Sequence, residues 1–431
     1  MEGAPPGAPS TPSLMTLRHP PLLKLVVPAV VFAALLAVLT LVNRGDSPSL
    51  PGATVAGDEN TPARRAEADA QRGDAYLQRV RETGDASLYA RAERSFDSAL
   101  RRDPRNVTAV IGSGTLALAR HDFREGLRLG ERALALAPGT VRPYAVVVDA
   151  QVELGRYDEA ERSLQRMIDL RPNLASYARV SYFRELTGDL GGAAQAMSLA
   201  VSAGSGTPEN VAYVQSLLGD LDLKRGRVAA AGQAYREALA MVPGYIPATL
   251  GLARVEVARS DLDAAAAAHR RAGNRGDPVA LTDIELARGR GDLAAEQIAK
   301  ANEQHRQELA QGAHPDPGMA EFEADHGSKT RAVALGRRIY AEAPSVKAAD
   351  ALGWALTRAG RPAQGLRLAR EALRLGSRDP VFHYHAGMAA AAAGRPAMAR
   401  RELRLALALD PSFSPHHAAR ARRELNRLGA M

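Results

Sequence analysis

The 431-residue chain contains no cysteine, which excludes thiol catalysis, disulfide bonds and cysteine-ligated zinc sites within it. Aromatic residues are also few, at 4% of the chain. The hydrophobic share of 46% therefore consists mainly of alanine, leucine and valine, a composition that favours close packing of helix on helix over an aromatic-rich β core. Lysine is scarce as well, and almost all of the 56 basic residues are arginines.

The formal net charge of +8 raises the question of a nucleic-acid partner. The 56 basic residues are interleaved with 48 acidic ones, often as helical neighbours, as in RRELRLAL at residues 400–407. No zinc-finger or basic-zipper pattern occurs. The sequence therefore predicts a solvated helical surface with many ion pairs, and no nucleic-acid partner.

The first 62 residues divide by composition into three segments. Residues 1–21 are rich in Pro, Gly and Ser, which predicts a disordered tail. Residues 22–42 form an apolar run that is long enough for a transmembrane helix at about 1.5 Å per residue. Residues 43–62 are polar and predict a linker.

Two interpretations of the apolar run differ in whether it is removed. A cleaved secretory signal has a shorter apolar stretch, of ~7–15 residues, with a cleavage site just after it. Here the nearest small-residue site is around Ala56, so we expect an uncleaved anchor. Arg18 and Lys24 place the positive charge before the run, which predicts a cytoplasmic tail. The predicted localisation is the cell membrane, single-pass, with the remainder of the chain extracytoplasmic.

A pattern of small and bulky residues that ends in proline recurs along the rest of the chain. It appears first in YARAERSFDSALRRDP at residues 89–104, where an alanine, a phenylalanine and another alanine precede the proline. Prolines follow at intervals of 34 residues, at Pro138 and Pro172. Equivalent residues stand ahead of Pro243 and Pro411. The pattern predicts helices that pack closely at their small residues and stop at the proline.

On these residues the sequence resembles the tetratricopeptide repeat family, in which about 34 residues form a pair of antiparallel helices. The family's large-then-small pair in the first helix is matched at Leu218-Gly219 and Leu352-Gly353. Turn residues step by 31 to 38 positions, with Ser260 in one place and glycine at Gly155, Gly188, Gly226, Gly291, Gly327, Gly360 and Gly394. The resemblance implies an all-α fold, a right-handed α-solenoid of about nine to ten helix-turn-helix units behind the transmembrane helix. It points more narrowly to a membrane-anchored bacterial member of the family.

The resemblance assigns residues 63–412 to the solenoid and residues 413–431 to a C-terminal capping helix. The stretch near 277–344 is degenerate, because AEQIAKANEQHRQELAQ reads as one longer helix and GAHPDPG as a loop. We expect this stretch to bend the superhelix or to divide it into two stacks.

Residues suited to catalysis or metal binding show no recognisable arrangement in the sequence. The motifs GxxxxGK[ST], HExxH and GxSxG do not occur, and the repeats occupy most of the chain, so we expect neither an enzyme nor a cofactor. Four histidines cluster late, at His383, His385, His416 and His417. The first two are about 200° apart around a helix and cannot both point directly at one ion. We assign the four to packing and capping; metal binding by His385 with His416 or His417 is the alternative.

The resemblance implies that the inner surface of the superhelix binds an extended peptide or a helix of a partner protein. The inward positions hold tyrosine, arginine and acidic residues, and the predicted groove consists of Arg142, Asp149, Glu153, Arg179, Tyr182, Tyr213 and Asp220. The Lys and Asn combination with which the best-known members grip a terminal carboxylate is missing here. We therefore expect an amphipathic or mixed-charge partner.

The sequence thus favours a non-catalytic, membrane-tethered scaffold that binds a partner protein or peptide. Two alternatives stay open. An adaptor of a membrane machine, facing the cytoplasm, would need only the reverse orientation. An accessory protein for a small ligand or a metal would rest on the late histidines.

Overall fold

The computed structural model describes residues 61–204 and 207–430. In these ranges the chain forms 21 α-helices, three short 3-10 helices and no strand, which confirms the predicted all-α fold. The α-helices are α1 (Pro62–Thr83), α2 (Tyr89–Arg102), α3 (Val107–Ala119), α4 (Phe123–Leu136), α5 (Arg142–Glu153), α6 (Tyr157–Leu170), α7 (Leu174–Leu186), α8 (Leu190–Ser202), α9 (Pro208–Lys224), α10 (Val228–Met241), α11 (Ile246–Ala258), α12 (Leu262–Arg271), α13 (Pro278–Ala287), α14 (Gly291–Ala310), α15 (Pro317–His326), α16 (Lys329–Glu342), α17 (Val346–Arg358), α18 (Pro362–Ala372), α19 (Pro380–Ala392), α20 (Pro396–Leu409) and α21 (Pro415–Gly429).

Successive helices of the described chain pack as hairpins, α1 with α2 and so on to α19 with α20. The turn within most hairpins is only a few residues long, which forces the two helices to run antiparallel. We number these ten pairs from the N-terminal end. The last helix, α21, packs on α19, α20 and α13. The described chain is therefore the helical-repeat stack that the 34-residue spacing predicted.

In nine of the ten pairs of the described chain, the turn contains a residue in the left-handed region just after the end of the first helix. Pair eight is the exception, because its predicted turn residue, Gly327, has φ −124°. Ser260 occupies this place in pair six with φ 65°, as the spacing predicted. In pair seven the prediction named Gly291, but the turn residue is Gly289, with φ 72°, and Gly291 begins α14. Two glycines stand two positions apart here, and repeat spacing alone does not decide between them.

The alternation of small and large residues is explained by how one ring fits between two helices. The Phe96 side chain, 1% exposed, lies against both Gly73 and Gly112, and a Cβ atom on either glycine would overlap its ring. Tyr235, 0% exposed, fills the same place between Gly219 and Gly251. Each of these second helices thus inserts one large side chain between two first helices, which approach it closely at glycine.

The stretch with the weakest repeat pattern folds as two further hairpins. Pair seven consists of α13 and the 20-residue α14, and pair eight of α15 and α16. Asp316 caps α15, because its carboxylate accepts from the Met319 amide at 2.8 Å. Pairs seven and eight are connected by a loop at residues 311–316, and their helices pack less closely than those at any other junction between successive pairs of the described chain.

The stack curves far enough for later pairs to contact earlier ones. The Arg120 carbonyl, in the turn of pair two, accepts from the His314 amide at 2.7 Å, just before pair eight. The Tyr157 hydroxyl of pair three accepts from the Val346 amide at 2.9 Å, at the start of pair nine. The turn of pair four packs at Gly188 against the Gly376 backbone, just before pair ten. The offset is six pairs each time, so about six pairs complete one superhelical turn and the next turn stacks on it.

The predicted membrane localisation is contradicted for the part of the chain that the structure describes. Among residues 61–204 and 207–430, no helix is both long and apolar enough to cross a membrane. The two longest, α1 and α14, have 22 and 20 residues but carry charged side chains along their length. Residues 22–42, on which the prediction rested, lie outside the described residues.

Candidate binding surface on the inner face

The first helices of the pairs line the inner face of the superhelix, and the seven predicted groove residues lie on three of them, α5, α7 and α9. Arg142 and Asp220 are half-buried. The other five are buried, namely Asp149, Glu153, Arg179, Tyr182 and Tyr213. Six of the seven make ion pairs or hydrogen bonds with side chains of other helix pairs, and little of their surface is open to a partner. The Tyr213 hydroxyl has no hydrogen-bond partner among the described residues.

Asp149 and Arg179 form a buried ion pair between pairs three and four. The Arg179 Nε atom donates to Asp149 Oδ1 at 2.8 Å and its Nη2 atom to Oδ2 at 2.6 Å, the bidentate geometry that binds a carboxylate most strongly. Arg179 is 1% exposed and also donates to the Ala175 carbonyl. Burial raises the pKa of Asp149 to about 6 despite the adjacent guanidinium. The pair therefore depends on Arg179 to keep the carboxylate charged at neutral pH.

Glu153 joins three pairs of helices. Its Oε1 atom accepts from the Tyr182 hydroxyl at 3.2 Å in pair four and from Lys347 Nζ at 3.1 Å in pair nine. The Lys347 ammonium also lies 4.9 Å from the centre of the Tyr182 ring, a cation–π contact. Glu153 thus ties the first turn of the superhelix to the second.

Two further ion pairs, both half-buried, also join side chains of different helix pairs. Arg142 Nη2 donates to Asp74 Oδ2 at 3.1 Å, from pair three back to pair one. Arg254 of pair six pairs with Asp220 of pair five, and the Tyr235 hydroxyl also donates to Asp220, at 2.5 Å. The carboxylates of pairs one, three and five are all compensated by arginine.

An acidic residue recurs at one inward position, directly after the close-packing residue of the first helix. Asp74, Asp149, Asp220, Asp283 and Glu321 stand there in pairs one, three, five, seven and eight. The predicted groove included only the second and third of these. Because the five share one position of the repeat, the sequence contains the information needed to find the others.

The last two carboxylates of this series have surroundings unlike those of the first three. Asp283, half-buried, accepts from the Ser414 hydroxyl at 2.5 Å. Glu321, also half-buried, has a pKa well above its ordinary value, because of burial and then the negative charges of Asp350, Asp379, Asp325 and Asp316. The inner face is therefore charge-compensated in its first five pairs and acidic around pairs seven and eight.

The late histidines take part in packing. His385 Nδ1 lies 2.7 Å from Asp350 Oδ2, and its ring stacks on Trp354 at 4.3 Å between centres. His383 faces another way, with Nδ1 2.7 Å from Glu402 Oε2. His417 Nε2 lies 3.4 Å from Asp325 Oδ2. No group of three histidine or acidic side chains among residues 61–204 and 207–430 is arranged to hold a metal ion.

The contact between His417 and Asp325 holds the last helix in place in a pH-dependent manner. Burial favours the neutral imidazole, but the Asp325 and Asp283 carboxylates outweigh it and raise the pKa of His417. A histidine whose pKa rises on folding stabilises the fold below its unfolded pKa, about 6.5, and loses that contribution as the pH rises through the folded pKa. Burial lowers the pKa of His416 and of His326, so the titration of these two changes stability only below about pH 6.5. The change expected above pH 6.5 therefore comes from His417.

We expect the protein to lose ~1 kcal/mol of stability as the pH rises from weakly acidic values through the folded pKa of His417. The variant His417→Asn should lack this loss. Chemical denaturation followed by far-UV circular dichroism at a series of pH values measures both. His305→Asn, which removes a histidine of α14, should keep the wild-type slope. An identical slope in wild type and His417→Asn would contradict the role given to this pair.

Known proteins were compared with the chain in three ways. Models of the tetratricopeptide repeat match residues 117–181 and, separately, residues 71–140, 216–278 and 351–412. These ranges together span more than half of the chain. None of the curated proteins compared with the chain matches it.

Several solved structures are similar to the chain at low sequence identity. The APC/C hetero-tetramer Cut9–Hcn1 matches with 16% identity and a TM-score of 0.42, over 86% of this chain and 78% of that one. The human IFIT1 dimer matches with 17% identity and a TM-score of 0.46, over 72% and 73%. A thermophilic TPR protein of Thermus thermophilus matches with 22% identity and a TM-score of 0.36, over 41% and 92%.

Proposed function

Because the chain belongs to the tetratricopeptide repeat family, we propose that it is a non-catalytic scaffold that binds a partner protein or peptide on the inner face of its superhelix. Proteins of this family generally mediate protein–protein interactions. The helix pairs account for almost all of the described chain, and the inner face is the surface on which their first helices converge. Stacked repeats of this kind use such a continuous curved surface for binding.

The change in charge along the inner face supports this proposal most directly. Arg142, Arg179 and Arg254 compensate the inward carboxylates of pairs one, three and five. Asp283 and Glu321 hold the same position in pairs seven and eight without an arginine beside them. Basic side chains of a partner could pair with these two carboxylates, as arginines of the chain itself pair with the carboxylates of the earlier pairs.

The seven groove residues predicted from the sequence keep a place in the proposal, with divided roles. Four of the five buried ones join pairs three and four, through the Asp149–Arg179 ion pair and the hydrogen bond from Tyr182 to Glu153. The fifth, Tyr213, packs in the hydrophobic core. Arg142 and Asp220 are half-buried and can contact a partner as well as their intramolecular ion-pair partners. Three of the late histidines, His383, His385 and His417, lie against carboxylates of the chain.

Photo-crosslinking from the inner face of the full chain tests the proposal. Benzoylphenylalanine replaces Leu286, which lies three residues, about one helical turn, beyond Asp283 on α13. We expect a discrete protein adduct in cells, and we expect it to disappear when Asp283→Lys and Glu321→Lys are added, because two like charges then face the basic partner.

Two controls separate a specific site from chance collisions. Benzoylphenylalanine at Leu199, which is 48% exposed on the second helix α8, should give no such adduct. The exposed pair Asp97→Lys and Glu131→Lys makes the same change in net charge and should leave the Leu286 adduct intact. Equal adducts from Leu286 and Leu199, an adduct that survives Asp283→Lys with Glu321→Lys, or loss of the adduct with Asp97→Lys and Glu131→Lys would refute inner-face binding.

A further inference from the structure

The positive charge of the protein is concentrated at the C-terminal end of the chain. Residues 361–431 contain thirteen arginines and five acidic residues, so this segment accounts for the whole formal net charge of +8. Most of these arginines lie on α18, α20 and α21, and many are exposed. The outer surface of pairs nine and ten is therefore basic, in contrast to the acidic inner face of pairs seven and eight.

A cleft of about 800 Å³ opens in this basic surface, between α18, α19 and α20. Its walls are largely apolar, with Leu373, Met398 and Leu405 each half-buried. Arg370 and Arg401 are exposed and lie at its edge. A cleft of this size is in the range that holds a ligand or several side chains of a partner.

The carboxylate at the bottom of the cleft already has partners within the chain. Glu402, 4% exposed, lies 2.7 Å from His383 Nδ1 and accepts from Arg401 Nε at 2.9 Å and Nη2 at 2.6 Å. Although burial favours the neutral acid, these contacts lower the pKa of Glu402. The negative charge inside the cleft is thus balanced by Arg401, and it leaves the charge of Arg370 uncompensated.

Arg370 spans the cleft toward a weak acceptor. Its Nη2 atom lies 3.5 Å from the Met398 sulfur, and a thioether accepts hydrogen bonds poorly. A carboxylate in the cleft would replace this contact by a charge-assisted hydrogen bond, which is about twice as strong as a neutral one. The unbranched Met398 side chain can shift to make room for an apolar group beside that carboxylate.

We propose that this cleft is a second protein-docking site, which takes a short segment of a partner with an apolar side chain flanked by carboxylates. The site lies on the outer surface, mainly on the second helices α18 and α20, and does not depend on binding at the inner face. A nucleic acid fits the cleft poorly, because its apolar lining consists of leucine, methionine and alanine and offers no Phe, Tyr or Trp ring on which a base could stack. With both sites filled, the protein would bridge a basic partner segment and an acidic one.

Fluorescence anisotropy with labelled synthetic peptides and the full chain tests the site. The probe is a peptide of Glu-Glu-Leu-Leu repeats, compared with Glu-Glu-Ser-Ser and Lys-Lys-Leu-Leu peptides of equal length. We expect the first peptide to bind more tightly than either of the others, because it alone combines apolar side chains with carboxylates. Arg370→Glu should weaken its binding about tenfold.

Two further variants decide between a site and general attraction to arginine. Arg162→Glu, an equal charge change at an exposed position of α6, should leave the affinity unchanged. Met398→Lys adds positive charge but removes apolar lining, so it should weaken binding if the cleft is used and strengthen it if charge alone acts. The site is excluded if Glu-Glu-Ser-Ser binds as well as Glu-Glu-Leu-Leu, if no peptide binds, or if Arg162→Glu matches Arg370→Glu. Far-UV circular dichroism confirms that each variant is folded.

Discussion

Replacing Arg179 by methionine should destabilise the fold by about 3–5 kcal/mol, one of the two largest effects that we expect from a single substitution. Arg179 is 1% exposed and binds both oxygens of Asp149. Methionine fills a similar volume but leaves the Asp149 carboxylate buried without its counter-charge. The cost comes mainly from that stranded carboxylate rather than from lost packing.

The destabilisation should shrink when the pH is lowered. Burial already raises the pKa of Asp149 to about 6 in the presence of Arg179, and removal of the guanidinium removes the interaction that lowers it. Because the folded variant then binds a proton more readily than the unfolded chain, acidification favours its folded state. The difference from wild type should therefore be greatest above neutral pH.

Urea denaturation followed by far-UV circular dichroism measures this effect, and Arg162→Met on the exposed surface of α6 is the matched control, with an expected change below about 0.5 kcal/mol. The double variant Asp149→Leu with Arg179→Met should recover most of the loss, since apolar residues replace a buried ion pair at little cost. A double variant as unstable as Arg179→Met alone would show that packing, and not the stranded charge, is responsible.

Replacing Trp354 by alanine should also cost about 3–5 kcal/mol. Trp354 is 1% exposed, stacks on His385 at 4.3 Å between ring centres and donates from Nε1 to Asp325 Oδ2 at 3.0 Å. Alanine would leave a cavity. It would also remove the indole N–H that donates to Asp325, the carboxylate that His417 contacts as well. The damage should be greatest in pairs nine and ten and in α21.

The variant Trp354→Phe separates the two contributions, because it keeps a ring in the cavity and removes the indole N–H. It should lose about 1 kcal/mol from the missing hydrogen bond, with a further small loss of packing. Trp354 is the only tryptophan in the chain, so both variants are followed by far-UV circular dichroism and not by fluorescence. If the alanine variant were no less stable than the phenylalanine one, the cavity would not be the cause.

Much of the fold could be predicted from local spacing. The 34-residue interval, the glycines that admit Phe96 and Tyr235, and the residue in the turn of pair six all depend on contacts within one hairpin or between neighbours. Such contacts lie close in the sequence and recur in each repeat. The separate directions of His383 and His385 follow in the same way from the geometry of one helix.

The burial of the groove could not be predicted in that way. A repeat position tells which way a side chain points from its own helix, but not what lies opposite one superhelical turn later. Glu153 and Lys347 are 194 residues apart, and their contact depends on the summed rotation of six pairs. Small differences in that rotation decide whether an inward side chain meets solvent or another residue of the chain.

The contacts between successive turns have a mechanical consequence. A solenoid whose hairpins touch only their neighbours stretches like a spring, because a small rotation at every junction lengthens the coil. Here two contacts join one superhelical turn to the next. They are the hydrogen bond from the Val346 amide to the Tyr157 hydroxyl and the Lys347–Glu153 ion pair. Extension under load must therefore begin with rupture of these two contacts. We expect the protein to resist small forces and then to extend abruptly.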